Sequence, residues 1–394
     1  MLLYKYHFKC LILALVAISI TPPLFGLPAS AKQAIQAFDQ QEFEKAQNLV
    51  DELLQDARYQ KQASTWYYRG AIYDQLMRKN ITSDSAPNYL EEALKSYQKA
   101  MDLSKKRSQY HSFAQINLQG LWTYYLNRGV QYYKVEAFEE AMEQLSICNL
   151  INDNAPYTLL YTAITAQQAE KYETALQHYE KYIQYGHAEP AVYRAFANLT
   201  ANHFKNTEGA FEILQQGVQQ YPWDIDLLAE NYELLTQTEQ LETWQTQLLA
   251  QLKEIHTNPI FYYQLAYLYT QTDECEKAIV HYQKAFELAP RQLEPIVQLA
   301  KLYHNQGAII INNIADMDEE VFQQTGKEII EEANEYLEKS LHYFKIAHKL
   351  SPKSLPILKS IHTLYTRLDK TDKASQIARK MKQIKGGAQL LELE

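Results

Sequence analysis

The sequence is poor in the residues that interrupt helices and in the residues that crosslink small folds. Its 394 residues include 11 Gly, 12 Pro and 3 Cys. Gly and Pro are the least favourable residues inside a helix, so their scarcity permits many uninterrupted helices. Three cysteines exclude a disulfide-rich scaffold, in which four or more are needed to hold a small fold together.

The motifs that carry common chemistry are also missing. The sequence contains no H-E-x-x-H, no C-x-x-C, no G-x-G-x-x-G and no G-x4-G-K-[ST], which excludes the usual zinc, redox and nucleotide sites. The net charge is −9 and no basic stripe is present, whereas a nucleic-acid surface needs clustered cations to neutralise phosphates. We therefore expect no enzyme activity, no cofactor, no metal site and no nucleic-acid partner.

Long apolar runs are absent except at the N-terminus. Lys5 and Lys9 precede an apolar run that ends at Ile20, and Ala29 and Ala31 place small residues before a cleavage point. This layout predicts a secretory signal peptide over residues 1–31, and the alternative is an uncleaved anchor. The mature chain is then expected to cross no membrane and to be exported, with the periplasm or cell envelope of a Gram-negative bacterium as its location.

A helical pattern with a period of 34 residues fills the rest of the chain. Trp66-x-x-x-Gly70-x-x-Tyr73 opens it, and Ala266 is followed 34 residues later by Ala300. Small residues alternate with large rings, as expected of antiparallel helices that approach closely at the small residues. A sustained period of this length predicts a stack of two-helix units.

This pattern resembles the tetratricopeptide repeat (TPR) family, with the signature W-x2-L-G-x2-Y, A-x3-F, A and P in one helix-turn-helix unit. The resemblance implies an all-α fold, a right-handed α-solenoid of about nine repeats. The small second-helix positions are Ala46, Ala93, Ala141, Ala175, Ala210, Ala278 and Ala374. Trp244 and Ser340 replace that small residue in two units, and Arg69 and Arg128 stand where Leu is usual.

The repeats are predicted to span residues 32–385, followed by a disordered tail at 386–394. Two units are stretched, by a polar loop near 78–88 and by a largely helical insertion near 308–335 with a break at 315–325. The second insertion carries an acidic patch that includes Asp316, Asp318 and Glu335. The simplest interpretation of this acidic patch is a charged face exposed to solvent. The alternative is that it docks a basic partner or loosely holds a cation.

The resemblance also implies a concave groove, lined by the first helix of each unit, that holds extended ligands. The residues that this assigns to the groove are Tyr67, Tyr133, Tyr157, Gln167, Asn202, Tyr263, Tyr267, Gln271 and His304. The lining would be mainly aromatic and amide, with few charges. The expected function is a non-catalytic scaffold that binds protein or peptide segments, and the alternative is a glycan-binding module; the oligomeric state is left open.

One glycosylation acceptor bears on the expected location. Asn198-Leu199-Thr200 fits the N-x-[ST] pattern, but the repeat register places Asn198 at a packed small-residue position. A glycan would not fit there, which favours a bacterial exported protein over a eukaryotic secreted one.

Overall fold

The structure is a computed structural model that describes residues 29–186, 188–314 and 317–391. Those residues form 19 helices and no strand, which confirms the all-α prediction. None of the helices in this part of the chain is both long and apolar enough to cross a bilayer. The predicted signal peptide lies almost wholly outside the described residues, and its cleavage point after Ala31 falls in the first turn of the first helix.

The chain divides into two compact units at residue 187. The helices of the N-terminal unit are α1 (Ala29–Asp39), α2 (Phe43–Leu53), α3 (Ala57–Gln60), α4 (Ala63–Lys79), α5 (Ala86–Asp102), α6 (Gln109–Lys134), α7 (Phe138–Ile151), α8 (Pro156–Gln168) and α9 (Tyr172–Gln184). The helices of the C-terminal unit are α10 (Pro190–Asn202), α11 (Thr207–Gln220), α12 (Ile225–Gln237), α13 (Leu241–Glu254), α14 (Pro259–Gln271), α15 (Cys275–Leu288), α16 (Leu293–Ile314), α17 (Glu319–Leu350), α18 (Leu355–Arg367) and α19 (Thr371–Leu391).

Apart from the short α3, the helices form pairs, four in the N-terminal unit and five in the C-terminal unit. In each pair the two helices pack against each other, and the second helix also packs against the first helix of the next pair in its unit. This is the helix-turn-helix repeat that the 34-residue period predicts, because one pair alone cannot bury its apolar face.

The turn inside most pairs has the same backbone conformation. Among the described residues, the non-glycine residues with positive φ are Gln41, Glu136, Glu170, Lys205, Glu239, Asp273 and Asp369. Each lies between the two helices of a pair, and in the α8–α9 turn the Lys171 N–H donates to the Ala166 carbonyl five residues earlier at 2.8 Å. This is a Schellman C-cap, with its left-handed residue one position before the donor. The two stretched pairs, α4–α5 and α16–α17, have no such residue among those described.

Small residues lie where helices approach most closely, as predicted. Ala93, Ala141, Ala175 and Ala278 have no exposed surface. A Cβ built on Gly70 would lie 2.6 Å from Cδ1 of Tyr97, so only glycine fits at that crossing of α4 and α5.

The prediction for Asn198 is wrong. Asn198 is exposed and its neighbour Ala197 is buried with 2% of its surface accessible. The turn after α10 is one residue longer than its counterparts, since the Asn206 N–H reaches the Thr200 carbonyl six residues back. The preference for a bacterial source therefore loses this support.

The two insertions differ in structure. Between α4 and α5 the loop covers only residues 80–85, because α4 and α5 are each 17 residues long. The second insertion lengthens both helices of its pair, α16 to 22 residues and α17 to 32. α16 ends at Ile314 and α17 begins at Glu319, inside the stretch 315–325 where the sequence predicts a break. At 1.5 Å per residue, the part of α17 before Leu337 adds about 27 Å to that hairpin.

The last helix runs past the point at which the sequence predicts the repeats to end. α19 continues as a helix to Leu391, beyond Lys385, where a disordered tail is predicted to begin. Gly386 and Gly387 do not interrupt it, since glycine weakens a helix by only about 1 kcal/mol per residue and does not block its hydrogen bonds.

Candidate partner-binding surface

In each unit the first helices of successive pairs lie side by side. α4 contacts α6 and α6 contacts α8 in the N-terminal unit, while α10 contacts α12 and α12 contacts α14 in the C-terminal unit. The indole N–H of Trp122 on α6 donates to the hydroxyl of Thr158 on α8 at 2.8 Å. α4, α6 and α8 therefore form a continuous surface of first helices in the N-terminal unit, and α10, α12 and α14 form another in the C-terminal unit. This is the geometry required for the predicted groove.

The predicted groove residues differ widely in exposure. Tyr157 is 62% exposed, and Asn202 and Gln271 are exposed at the ends of α10 and α14. Tyr133, Gln167 and His304 are half-buried, and Gln167 accepts a hydrogen bond from the Tyr179 hydroxyl at 2.8 Å. These six residues are accessible to a partner to some degree.

The other three predicted groove residues are buried. Tyr67, Tyr263 and Tyr267 expose 5%, 0% and 6% of their surface. The Tyr263 hydroxyl donates to the Trp223 carbonyl at 3.3 Å, and its ring lies 5.8 Å from that of Tyr282. These rings fill the space between helices, so in the free chain they offer no surface to a ligand.

Arginine and tyrosine form a surface on α4 and α6 that the sequence analysis did not identify. The guanidinium groups of Arg78 and Arg128 lie 5.7 Å and 5.6 Å from the centre of the Tyr124 ring. Arg128 donates to the hydroxyls of Tyr124 and Tyr132, each at 3.2 Å. We call these four residues the arginine–tyrosine surface.

The two arginines differ in how their charge is balanced. Arg78 is paired with Asp74, with 2.7 Å between Nε and Oδ1, whereas no carboxylate among the described residues lies within ion-pair distance of Arg128. Burial raises the pKa of Asp74, and the nearby Arg78 guanidinium opposes that rise. The arginine–tyrosine surface therefore carries one uncompensated positive charge.

The first helices of the C-terminal unit also carry charges. Arg194 on α10 bridges to α12, with 2.7 Å from Nε to Glu230 and 3.1 Å from Nη1 to Asp226. Farther along, the Arg367 guanidinium lies 3.4 Å from Nε2 of His304. Burial lowers the pKa of His304, and the charge of Arg367 lowers it further. The expectation of a lining with few charges is thus wrong.

The sequence spacing of these charged residues gives a weak indication of their pairing. Arg78 follows Asp74 by four residues, which places both on one helix face. Arg194 precedes Asp226 and Glu230 by 32 and 36 residues, close to the repeat period, so they occupy corresponding positions on neighbouring helices. The predicted groove residues were assigned because they flank the small first-helix position of each repeat, and Tyr67, Tyr263 and Tyr267 pack the interior from there.

The described residues offer little that resembles a catalytic site. No group of three His, Cys, Asp or Glu side chains among them is placed to hold a metal ion. The cavities of this part of the chain include one of about 470 Å³ beside Trp66 and Arg69 and one of about 520 Å³ along the acidic face of α17 around Glu335. Neither is enclosed.

Comparison with known proteins matched no family model and no curated relative. Many solved structures share the helical-repeat fold. A YrrB structure, described as a TPR protein with an unusual peptide-binding site, aligns at 16% identity and a TM-score of 0.29, over 52% of this chain and 97% of that one.

Two other solved structures give similar values. A TPR repeats protein from Bacteroides fragilis aligns at 16% identity and a TM-score of 0.27, over 62% and 98% of the two chains. A monomeric mutant of IFIT1 with m7Gppp-AAAA aligns at 16% identity and a TM-score of 0.36, over 86% and 73%. Likeness at this level carries no information on ligands, so the function has to be inferred from this chain's own surface.

Proposed function

We propose that this chain is a non-catalytic scaffold that holds segments of partner proteins on the surface formed by its first helices. The observation that carries the proposal is the side-by-side arrangement of α4, α6 and α8, which presents the arginine–tyrosine surface and the exposed ring of Tyr157 in one unit. Tyr and Arg are enriched where proteins bind each other, because they combine large contact area with directed hydrogen bonds.

The charge on this surface defines the kind of segment that it accepts. Arg128 is half-buried and its guanidinium is held by two tyrosine hydroxyls, so an incoming carboxylate meets a cation that is already positioned. A charge-assisted hydrogen bond contributes about 1.5–3 kcal/mol. We therefore expect the partner segment to carry Asp or Glu opposite Arg128.

Crosslinking tests this directly. With a photo-activatable amino acid in place of Tyr157, we expect the wild-type background to capture a discrete partner. Arg128→Gln should reduce that capture by about 10-fold or more, which corresponds to at least 1.4 kcal/mol. Because Arg128 has no carboxylate partner within the described residues, the substitution should leave the fold intact.

The matched control is Arg107→Gln, which changes an exposed arginine between α5 and α6 of the same unit. Capture should be unchanged in that variant. Equal capture by the wild type and by Arg128→Gln, or the absence of any discrete partner, would contradict the proposal.

We also propose that the scaffold works in the cell envelope. The support is the signal-peptide pattern of residues 1–31, with small residues at Ala29 and Ala31. Fractionation followed by N-terminal sequencing should find a chain that begins at Lys32 outside the cytoplasm; a full-length chain in the cytosol would contradict this location.

A further inference from the structure

A second, chemically distinct site lies in the N-terminal unit, away from the arginine–tyrosine surface. An open cleft of about 470 Å³ separates α2 from α5 and has α4 as its floor. Asp51, Leu54 and Gln55 line it from the α2 side, Trp66 and Arg69 from the floor, and Glu92, Lys95 and Lys99 from α5. Its walls are second helices, whereas the proposed partner surface is formed by first helices.

Arg69 is held in the floor of the cleft by groups from both walls. Its Nε lies 2.7 Å from Oδ1 of Asp51, and its Nη1 lies 2.8 Å from Oε2 of Glu92 and donates to the Ser96 hydroxyl at 2.8 Å. The guanidinium also lies 4.3 Å from the centre of the Tyr73 ring. Only 12% of the Arg69 side chain is exposed, so its position is fixed before any ligand arrives.

The cleft has hydrogen-bond donors with no partner among the described residues. Nη2 of Arg69 makes no hydrogen bond to that part of the chain, and Nζ of Lys99 makes neither a hydrogen bond nor an ion pair to it. Both are cationic. Lys95 is paired with Glu91 at 2.7 Å and lies 3.4 Å from Glu92, so Lys99 is the cation of the cleft lining that has no carboxylate within ion-pair distance among the described residues.

The cleft also has acceptors and a flat apolar surface. Besides Arg69, Asp51 accepts from the Tyr73 hydroxyl and Glu92 lies 3.4 Å from Lys95. Each carboxylate oxygen can accept more than one hydrogen bond, so both side chains keep acceptor capacity. Trp66 is half-buried, and its indole N–H is held by the Gln60 carbonyl at 2.9 Å. The ring is therefore fixed in orientation beside the polar groups.

We propose that this cleft binds an acidic sugar of the hexuronic acid class. The ring would lie on Trp66, its carboxylate would accept from Arg69 and Lys99, and its hydroxyls would donate to Asp51 and Glu92. Such a ligand brings one negative charge, several O–H donors and an apolar ring face together, which matches the three kinds of group in the cleft.

A peptide carboxylate fits this set of groups less well. It would satisfy the two cations, but it carries few donors for the two acidic side chains that flank them. A neutral sugar would satisfy the acceptors and leave the Lys99 ammonium without an anionic partner. The position of Arg69 adds to the argument, because the TPR-like pattern places an apolar Leu there, and a Leu would close the floor of the cleft with hydrocarbon.

Ligand-detected NMR on the full chain tests the assignment, with glucuronate, glucose and N-acetyl-leucine as separate probes. Because the cleft is open, we expect weak, saturable binding of glucuronate with Kd of about 1 mM, and at least about 10-fold weaker binding of glucose and of N-acetyl-leucine. Lys99→Gln should weaken glucuronate binding about 3-fold to 10-fold, and Arg69→Leu should abolish it.

Lys99 is exposed, so Lys99→Gln keeps the test valid even if Arg69→Leu disturbs the fold. Lys61→Gln, another exposed lysine of the same unit, is the control and should bind as the wild type does. Absence of saturable glucuronate binding, equal binding of glucose or N-acetyl-leucine, or unchanged binding by Lys99→Gln would each overturn the assignment. Crosslinking through position 157 should be unaffected by Lys99→Gln, so the two proposals fail independently.

Discussion

At the scale of single residues, the structure separates tyrosines that hold the fold together from tyrosines that face solvent. Tyr97, Tyr179, Tyr263 and Tyr282 are among the largest fully buried side chains, whereas Tyr157 is 62% exposed. Burial raises the pKa of Tyr263 well above its ordinary value, so its hydroxyl stays protonated and continues to donate. Tyrosine therefore serves both as core and as surface in this chain.

Replacing Tyr263 with Ala should destabilise the protein strongly. The substitution removes a fully buried ring and its hydrogen bond to Trp223, and truncations of large aromatic core residues cost about 3–5 kcal/mol. Urea unfolding followed by circular dichroism measures the change. Tyr157→Ala is the matched control and should fall within about 0.5 kcal/mol of the wild type; equal losses in the two variants would contradict the assignment of Tyr263 to the core.

Sequence reasoning at this scale predicted the small residues well, whereas the exposure of the groove residues did not follow from it. Ala93, Ala175 and Ala278 repeat at the small second-helix position, and the structure buries all three completely. Tyr67 and Tyr263 follow the same repeat, but the pattern does not say which side of a helix faces a neighbour when both sides carry rings. Exposure depends on the packing of adjacent pairs, and a single sequence does not contain that information.

At the scale of helices and turns, the same turn conformation recurs through the chain. Glu136 and Glu170 are 34 residues apart, as are Glu239 and Asp273, and all four have φ between 57° and 62°. A non-glycine residue in this left-handed region is strained by roughly 1–2 kcal/mol. The chain accepts that strain because the conformation joins the two helices of a pair through a Schellman cap.

Glycine at position 170 should therefore stabilise the protein. Glu170 has φ of 57° and an exposed side chain, so Glu170→Gly relieves strain and removes no packing. We expect a gain of about 0.5–1 kcal/mol in the free energy of unfolding, less than the full strain because Gly also makes the unfolded chain more flexible.

The control for this prediction is Glu180→Gly, which changes an exposed residue inside α9. It should lower the free energy of unfolding by about 1 kcal/mol, because glycine is unfavourable in a helix interior. If both variants lost stability in thermal or urea unfolding, residue 170 would not be strained in solution.

The elements themselves were largely predictable, and the exceptions have a physical cause. The 34-residue period locates the pairs, and Asn258-Pro259 marks the start of α14, where the Asn258 side chain accepts from the Ile260 N–H at 3.0 Å. The length of α6 was not predicted. Its first half packs against the lengthened α4 and α5, so its extent follows from the insertion before it and not from its own repeat signature.

At the scale of the whole molecule, histidines in both units make stability depend on pH. Burial lowers the pKa of His178, His304 and His348 below the ordinary value of 6.5. As pH falls below about 6.5, the unfolded chain takes up protons that the folded chain does not, so the free energy of unfolding decreases. Stability should thus be complete above pH 6.5 and decline toward pH 5.5.

Urea unfolding between pH 5.5 and 7.5 checks this expectation. Exposed carboxylates stay ionised over that range, and Asp74, whose pKa burial raises, is common to all the variants compared. A variant with Gln at positions 178, 304 and 348 should show a flatter pH dependence than the wild type. His256→Gln, an exposed histidine between α13 and α14, serves as the control and should keep the wild-type slope. If the free energy of unfolding of the triple variant depended on pH as steeply as that of the wild type, these three histidines would not be the cause of the pH dependence.

The close helix contacts in each unit join elements that are near neighbours along the chain, as α8 joins α9 and α14 joins α15. Contacts of short sequence separation cost little loop-closure entropy, so proteins built from them fold fast. Each hairpin can consequently form as soon as its second helix is available, without waiting for a distant segment. Such a chain can fold hairpin by hairpin while it is being synthesised. A chain that starts unfolded can likewise begin to fold at its N-terminus before its C-terminal helices are available.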